Sequence, residues 1–249
     1  MTTASVSQEH IACLAERPRQ VHTITDRISM ANTYLIDDQR FIVVDPGSAL
    51  NTRLTLEYIE HVLHRSPRDI DLIVLTHLHT DHTAGVIPLQ QACGASVAAS
   101  TTARQLAQAE QQAGKLMPGV TYMAEQVLPG AFQRLDLFPP QYARQVEMIN
   151  VWLDDVAGVP QHLDWRVIAA PGHTRDSLCL YNAFTRELLC GDMVMTLEGR
   201  KPCIRGEGSR RQVQEMLQLL RSLHIHYLYP GHGRAVLAKQ VVQQIQLES

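Results

Sequence analysis

The feature that most constrains this chain is Thr76-His77-Leu78-His79-Thr80-Asp81-His82, set directly behind the apolar run Leu72-Ile73-Val74-Leu75. Four apolar residues bounded by polar ones read as a strand buried on both faces, which belongs in a sheet covered on both sides. Three histidines and one aspartate then fall within six residues. Side chains alternate along an extended segment, so His77 and His79 leave it on one side. A turn into a following helix carries Asp81 and His82 to a neighbouring point. One short peptide thereby offers two sets of ligands. Imidazole nitrogens and carboxylates suit a borderline divalent ion such as zinc, with manganese and iron also compatible. Burying four such groups without partners would be costly, so ordinary core histidines account for the cluster poorly.

Three further fragments have the same texture, a small-residue turn or strand end carrying one ligand: Pro171-Gly172-His173-Thr174, Cys190-Gly191-Asp192 and Pro230-Gly231-His232-Gly233. Each follows an apolar run, and strand ends in open α/β sheets converge on one edge, where sites are built. His224 and His226 repeat the spacing of His77 and His79, but they stand too close to the Pro230-Gly231 turn to reach the first cluster. They read as ordinary histidines.

Strand and helix patterns interleave throughout. Tyr34–Ile36 and Phe41–Val44 read as a hairpin, and Leu54 to Leu63 as a helix with an apolar face of Leu54, Leu56, Ile59, Val62 and Leu63. Val97–Ala99 is a short strand before a helix over Thr101–Lys115. Trp165–Ala169, Ser177–Tyr181 and Glu187–Cys190 are successive strands. Ser209 caps a helix whose stripe is Val213, Met216, Leu217, Leu220 and Leu223. Tyr227–Tyr229 is a last strand, followed by the His232 turn and a closing helix. This alternation predicts one α/β domain over residues 1–249. The pattern loosens from about 117 to 161, where prolines interrupt bulky residues that include Tyr122, Phe132 and Phe138. This stretch reads either as a lid-like insertion over a pocket or as a surface insertion with a small core of its own.

Composition narrows the function classes. Twenty-two basic against 25 acidic residues give a net charge of −3, which disfavours nucleic acid as a general partner despite a local basic run between Arg200 and Arg211. Five scattered cysteines form no CxxC pair, as expected in a reducing compartment. The first ten residues lack a basic region followed by an apolar core, and no apolar run reaches membrane-spanning length. A cytoplasmic protein without a membrane partner is the expectation. No GxSxG motif occurs, so acyl-enzyme chemistry on a serine has no footing.

Taken in order, THLHTDH, PGHT, GD and PGHG resemble the metallo-β-lactamase fold superfamily, over roughly Asn32 to Arg234. The resemblance implies a four-layer αββα sandwich with a dinuclear metal site at one sheet edge. It would give the first ion to His77, His79 and His173, the second to Asp81, His82 and His232, and make Asp192 the bridge. Asp45, in Val43-Val44-Asp45-Pro46-Gly47, matches an early aspartate of the family that orients ligands. A turn-capping role is its other reading. Members of the family often form homodimers, and nothing in this sequence marks a surface for one.

Two divalent ions sharing a water make a hydroxide available at neutral pH, and Asp81 would orient it and pass a proton on. The family's true β-lactamases lack the bridging aspartate, so Gly191-Asp192 resembles its glyoxalase II-like, lactonase and thioesterase branches. Glyoxalase II carries a large C-terminal helical region, whereas 17 residues follow His232 here. A small acyl or polyketide-like ester, thioester or lactone is therefore the expected substrate, with Tyr122, Phe132, Phe138 and Arg175 as candidate contacts. The run Pro171 to Leu178 is also similar to a branch that contains endoribonucleases, which keeps a metal-dependent phosphodiesterase as one alternative. A non-catalytic module that binds a small ligand on the same fold is the other.

Overall fold

The computed structural model describes residues 21–26, 29–37, 41–113, 142–196, 203–204, 209–237, 242 and 245–247. Their strands alternate between two apolar environments, and this alternation sets the layering. In β3 (Phe41–Val44), Phe41 and Val43 join one apolar cluster while Ile42 and Val44 join another. In β10 (Glu187–Gly191), Leu188 and Cys190 point one way and Leu189 the other. A strand with both faces apolar must be covered on both sides.

The first sheet runs in the order β1 (Val21–Thr25), β2 (Asn32–Asp37), β3, β4 (Ile70–Val74), β5 (Ser96–Ser100) and β6 (Val151–Leu153). Its first three strands are antiparallel neighbours, and β3 through β6 are parallel. The second runs β13 (Val236–Leu237), β12 (Tyr227–Pro230), β10, β9 (Leu178–Asn182), β8 (His162–Ala169) and β7 (Gly158–Val159). A separate pair joins β11 (Cys203–Ile204) to β14 (Gln246–Leu247).

Three apolar clusters fill the spaces between four layers. Tyr34, Ile42, Val74, Trp165, Leu180 and Tyr229 lie between the sheets. Ile59, Leu89 and Leu106 place α1 (Ala49–His61), α3 (Val86–Cys93) and α4 (Thr101–Ala113) on the outer face of the first sheet. Met216, Leu217 and Leu220 place α6 (Arg210–Ser222) on the outer face of the second. The αββα order expected from the motifs is the order found. Two short helices complete the set, α2 (Thr80–Thr83) and α5 (Tyr142–Gln145).

Several local expectations are met and two are revised. Ser209 caps α6 with a reciprocal capping box through Gln212. By contrast, α1 starts five residues early and buries Asn51, Thr52, Thr55 and Ile59, leaving Val62 exposed. Two of them are drawn inward by hydrogen bonds, Asn51 Nδ2 donating to Thr33 Oγ1 at 2.5 Å and Thr52 Oγ1 to the Gly85 carbonyl at 3.0 Å, while Thr55 Oγ1 donates within the helix to the Asn51 carbonyl. No closing helix begins directly behind the His232 turn; the chain folds back there as β13, antiparallel to β12. Of the stretch 117–161, residues 142–161 form α5, a 3₁₀ turn, β6 and β7, whereas 117–141 lies outside the described residues. Among the described residues, no helix is long and apolar enough to cross a membrane.

Candidate metal centre

Strand direction gathers the site. β3 and β4 are parallel, so Asp45 and the His77 segment leave the first sheet at the same end. β10 is parallel to β12 and antiparallel to β9, which is antiparallel to β8, so the turns after β8, β10 and β12 share one edge of the second sheet. Those turns carry His173, Asp192 and His232. Backbone hydrogen bonds stitch the sheets together here, from Leu178 N to the Thr76 carbonyl at 2.8 Å and from Asn32 N to the Gly231 carbonyl at 2.7 Å.

Two groups of donors result. In the first, His79 Nδ1 lies 3.1 Å from His77 Nε2 and 3.0 Å from His173 Nε2, and Asp192 Oδ2 is 3.4 Å from His173 Nε2. In the second, Asp81 Oδ2 lies 3.1 Å from His232 Nε2 and 3.8 Å from His82 Nε2. Asp192 faces this group as well, at 3.4 Å from both His82 Nε2 and His232 Nε2. His77, Asp81, His82, His173 and Asp192 are buried, while His79 and His232 retain access to solvent.

A metal suits this arrangement on three counts. Within each group the donor atoms lie within 4.8 Å of one another. The closest pairs are spaced like the corners of a tetrahedron with bonds of about 2.0–2.1 Å, whose edge is about 3.3 Å. His82 Nε2 and Asp192 Oδ1 are buried without a hydrogen-bond partner, a costly arrangement that a cation would relieve. Third, imidazole and carboxylate are the donors such an ion prefers.

The two groups differ electrostatically. Burial, reinforced by neighbouring histidines, pushes His77 well below the usual histidine range and His79 down to about 3, so both are neutral imidazoles at pH 7. Burial opposes charge at His232 too, but Asp192 and Asp81 outweigh it and lift the group to about 10. His82 is raised in the same way by Asp192, Asp81 and Asp45. Against burial, His82 and His232 hold Asp81 down to about 2, and Asp192 is likewise held well below the carboxylate range. Without metal, the second group is thus a set of ion pairs, whereas His77 and His79 of the first are neutral rings.

Asp45 sits behind both groups with φ +52°, a left-handed conformation that aspartate tolerates. Its Oδ1 accepts from Thr76 N at 2.8 Å and its Oδ2 from Thr76 Oγ1 at 2.6 Å, while His82 Nδ1 lies 3.1 Å away. Since the Thr76 hydroxyl gives its proton to Asp45, it accepts from His77 Nδ1 at 3.0 Å. Asp45 thereby turns Nε2 of His82 and, through Thr76, Nε2 of His77 toward the site. Thr76 needs a glycine opposite: a Cβ on Gly191, at φ +50°, would stand 2.5 Å from its hydroxyl.

Sequence reasoning passed over Thr76, although it adjoins the histidine motif. It also passed over Asn32, whose Nδ2 donates to the carbonyls of Pro230 at 2.9 Å and Gly233 at 2.8 Å and so pins the His232 turn. No local signal marked that residue, because its partners lie about 200 positions away. Of the candidate substrate contacts, Arg175 is exposed just beyond His173. Tyr122, Phe132 and Phe138 lie outside the described residues. His226 stands at the other end of β12 from His232 and meets Arg186 at 3.0 Å.

Comparison with known proteins gives this geometry a context. A sequence profile described as the metallo-beta-lactamase superfamily matches residues 27–232. A probable metallo-hydrolase of Methanocaldococcus jannaschii is 24% identical over 206 residues, 82% of this chain and 87% of that one. A hydroxyacylglutathione hydrolase of Hydrogenovibrio crunogenus is 27% identical over 79% of this chain, which spans 54% of that protein's length. In fold, the chain is similar to a metallo-beta-lactamase family protein of Thermus thermophilus, with a TM-score of 0.60, 19% identity, and coverage of 90% of this chain and 75% of that one.

Proposed function

Because this chain belongs to the metallo-beta-lactamase superfamily, whose relatives here are metallo-hydrolases, we propose that it is a dinuclear hydrolase of a small ester, thioester or lactone. The observation that carries the reading is Asp192. Its carboxylate stands 3.4 Å from ring nitrogens of both donor groups, as a ligand shared by two ions would. In this reading His77, His79 and His173 hold one ion, Asp81, His82 and His232 hold the other, and Asp192 serves both. Zinc fits the mixed nitrogen and oxygen donors best, and manganese or iron would fit the same set.

Two such ions, when bound, would supply an activated water and polarise a substrate carbonyl. The chain's own residues prepare that chemistry. Asp45 and Thr76 fix the His82 and His77 rings, so that the ions would meet preset Nε2 donors. Asp81, ionised well into the acid range, would accept a hydrogen bond from the attacking water and orient it. A thioester is favoured among the substrates by the hydroxyacylglutathione hydrolase relatives and by the apolar residues Tyr122, Phe132 and Phe138 of the insertion. The chain spans only about half the length of those relatives, so glutathione itself is not assumed.

Turnover on a panel of acyl-thioesters, lactones, lactoylglutathione, a phosphodiester and single-stranded RNA tests the assignment. The metal-loaded chain is expected to cleave a thioester or lactone, and Asp192→Ala to lose that activity by about two orders of magnitude or more. Cleavage of RNA or the phosphodiester alone would move the protein to the nuclease branch. An Asp192→Ala variant with full activity would refute the site.

A further inference from the structure

We propose that Gln145 and Asp176 are positioning residues that clamp the Leu78 peptide between them and so set the geometry of the His77, His79 and His173 group alone. The proposal rests on the reading that this group binds metal. Leu78 separates the two ligand histidines, is fully buried, and lies beyond the end of the β4 ladder. A buried backbone without a ladder must find side-chain partners. Gln145 Nε2 donates to the Leu78 carbonyl at 2.6 Å. The Leu78 N–H is held by the Asp176 carboxylate. Both side chains are about 1% exposed.

The clamp reaches all three ligands. Asp176 lies three residues after His173 in the same turn, and its carboxylate also accepts from Thr174. It takes a further hydrogen bond from the Tyr142 hydroxyl at 2.8 Å. Gln145 is also 3.5 Å from Thr83 Oγ1, which donates to the His79 carbonyl at 3.1 Å. Tyr142 and Gln145 both sit on α5, whose Ala143 N–H is tied to Glu110 of α4 at 2.9 Å. One short helix and one carboxylate therefore fix His77, His79 and His173 relative to one another. Gln145 Oε1 is buried with no partner, so the residue keeps its amide N–H₂ at Leu78 while leaving its own oxygen unsatisfied.

The second group is held elsewhere. His82 is oriented by Asp45, and the His232 turn is pinned by Asn32. The two halves of the centre thus share Asp45 but each also has a support of its own, so one can be loosened without the other. In many metal sites, removing such a support costs about 10–100-fold in affinity.

The test is cobalt or zinc titration of the metal-free full chain, followed by calorimetry and by the cobalt absorption bands, with His79→Ala identifying which binding event belongs to the first group. Gln145→Met keeps length and volume but removes the donor. It is expected to weaken the first-group event about 10–100-fold and leave the other within about twofold, while Asn32→Ala does the reverse. Asp176→Ala provides the same test should Gln145→Met not fold, and it should speed hydrogen exchange of the Leu78 amide even without metal. Asp176→Asn, which keeps an acceptor for that amide, should restore much of the loss. Equal weakening of both events, or neither, in a chain that takes up two ions would overturn the clamp alone. A wild-type chain that takes up no metal would instead remove the reading it rests on.

Discussion

Metal uptake should displace protons from His232 and His82 and none from His77 and His79. In the metal-free chain His232 is lifted to about 10 by Asp192 and Asp81, and His82 is raised by the same carboxylates. A metal needs the neutral ring, so at pH 7 it must first expel the His232 proton, at a cost of about 4 kcal/mol for three pKa units. Affinity at this group should therefore rise about tenfold per pH unit for each proton displaced, until pH approaches the raised value. His79, held at about 3, carries no proton to displace above pH 5, and burial depresses His77 well below the usual histidine range as well. Their contribution to binding is flat from pH 6 to 9. Zinc titrations across that range, repeated at pH 6.5 in buffers of different ionisation enthalpy, give the slope and the proton count of each event. Equal slopes for the two events, or release of fewer than one proton in the pH-dependent one, would refute the electrostatic account.

Other outcomes follow from single features. The depressed His79 makes the metal-free fold lose stability as pH falls below 6.5 toward 3, because the unfolded chain takes up the proton; at pH 5 this amounts to about 2 kcal/mol, and His79→Asn should flatten the acid limb of the melting curve. Gly231→Ala would drive a Cβ into the Asp192 carboxylate and to 3.0 Å from His82 Cε1. It should cost about 1–3 kcal/mol and abolish two-metal binding, whereas Gly94→Ala, which meets open space, should leave binding intact. Removing the α6 capping box with Ser209→Ala should lower stability by about 1 kcal/mol and leave metal stoichiometry unchanged, as read by denaturant unfolding and metal analysis.

Much of the fold and the donor groups was legible because the chemistry is local. An apolar strand followed by alternating histidines can be read from neighbours alone, since period-two geometry places His77 and His79 on one side wherever the segment ends up. The small-residue turns at His173, Asp192 and His232 each follow a recognisable apolar run, and parallel strands bring such turns to one edge. Ser209 announced α6 for the same reason: a cap bonds within three residues of itself.

What the tertiary structure alone decided is where long-range partners lie. The buried face of α1 could not be taken from its hydrophobic residues, because Asn51 and Thr52 are drawn inward by Thr33 and Gly85, distant in sequence. Asn32 at the His232 turn, Thr76 between Asp45 and His77, and Gln145 and Asp176 around Leu78 are ordinary polar residues in sequence. Their significance comes from the backbone groups they satisfy across the fold. Sequence patterns record the periodic burial of apolar side chains and the local grammar of turns. Hydrogen bonds that close between residues dozens to hundreds of positions apart leave no periodic trace, and in this protein those bonds position the donors that the local motifs supply.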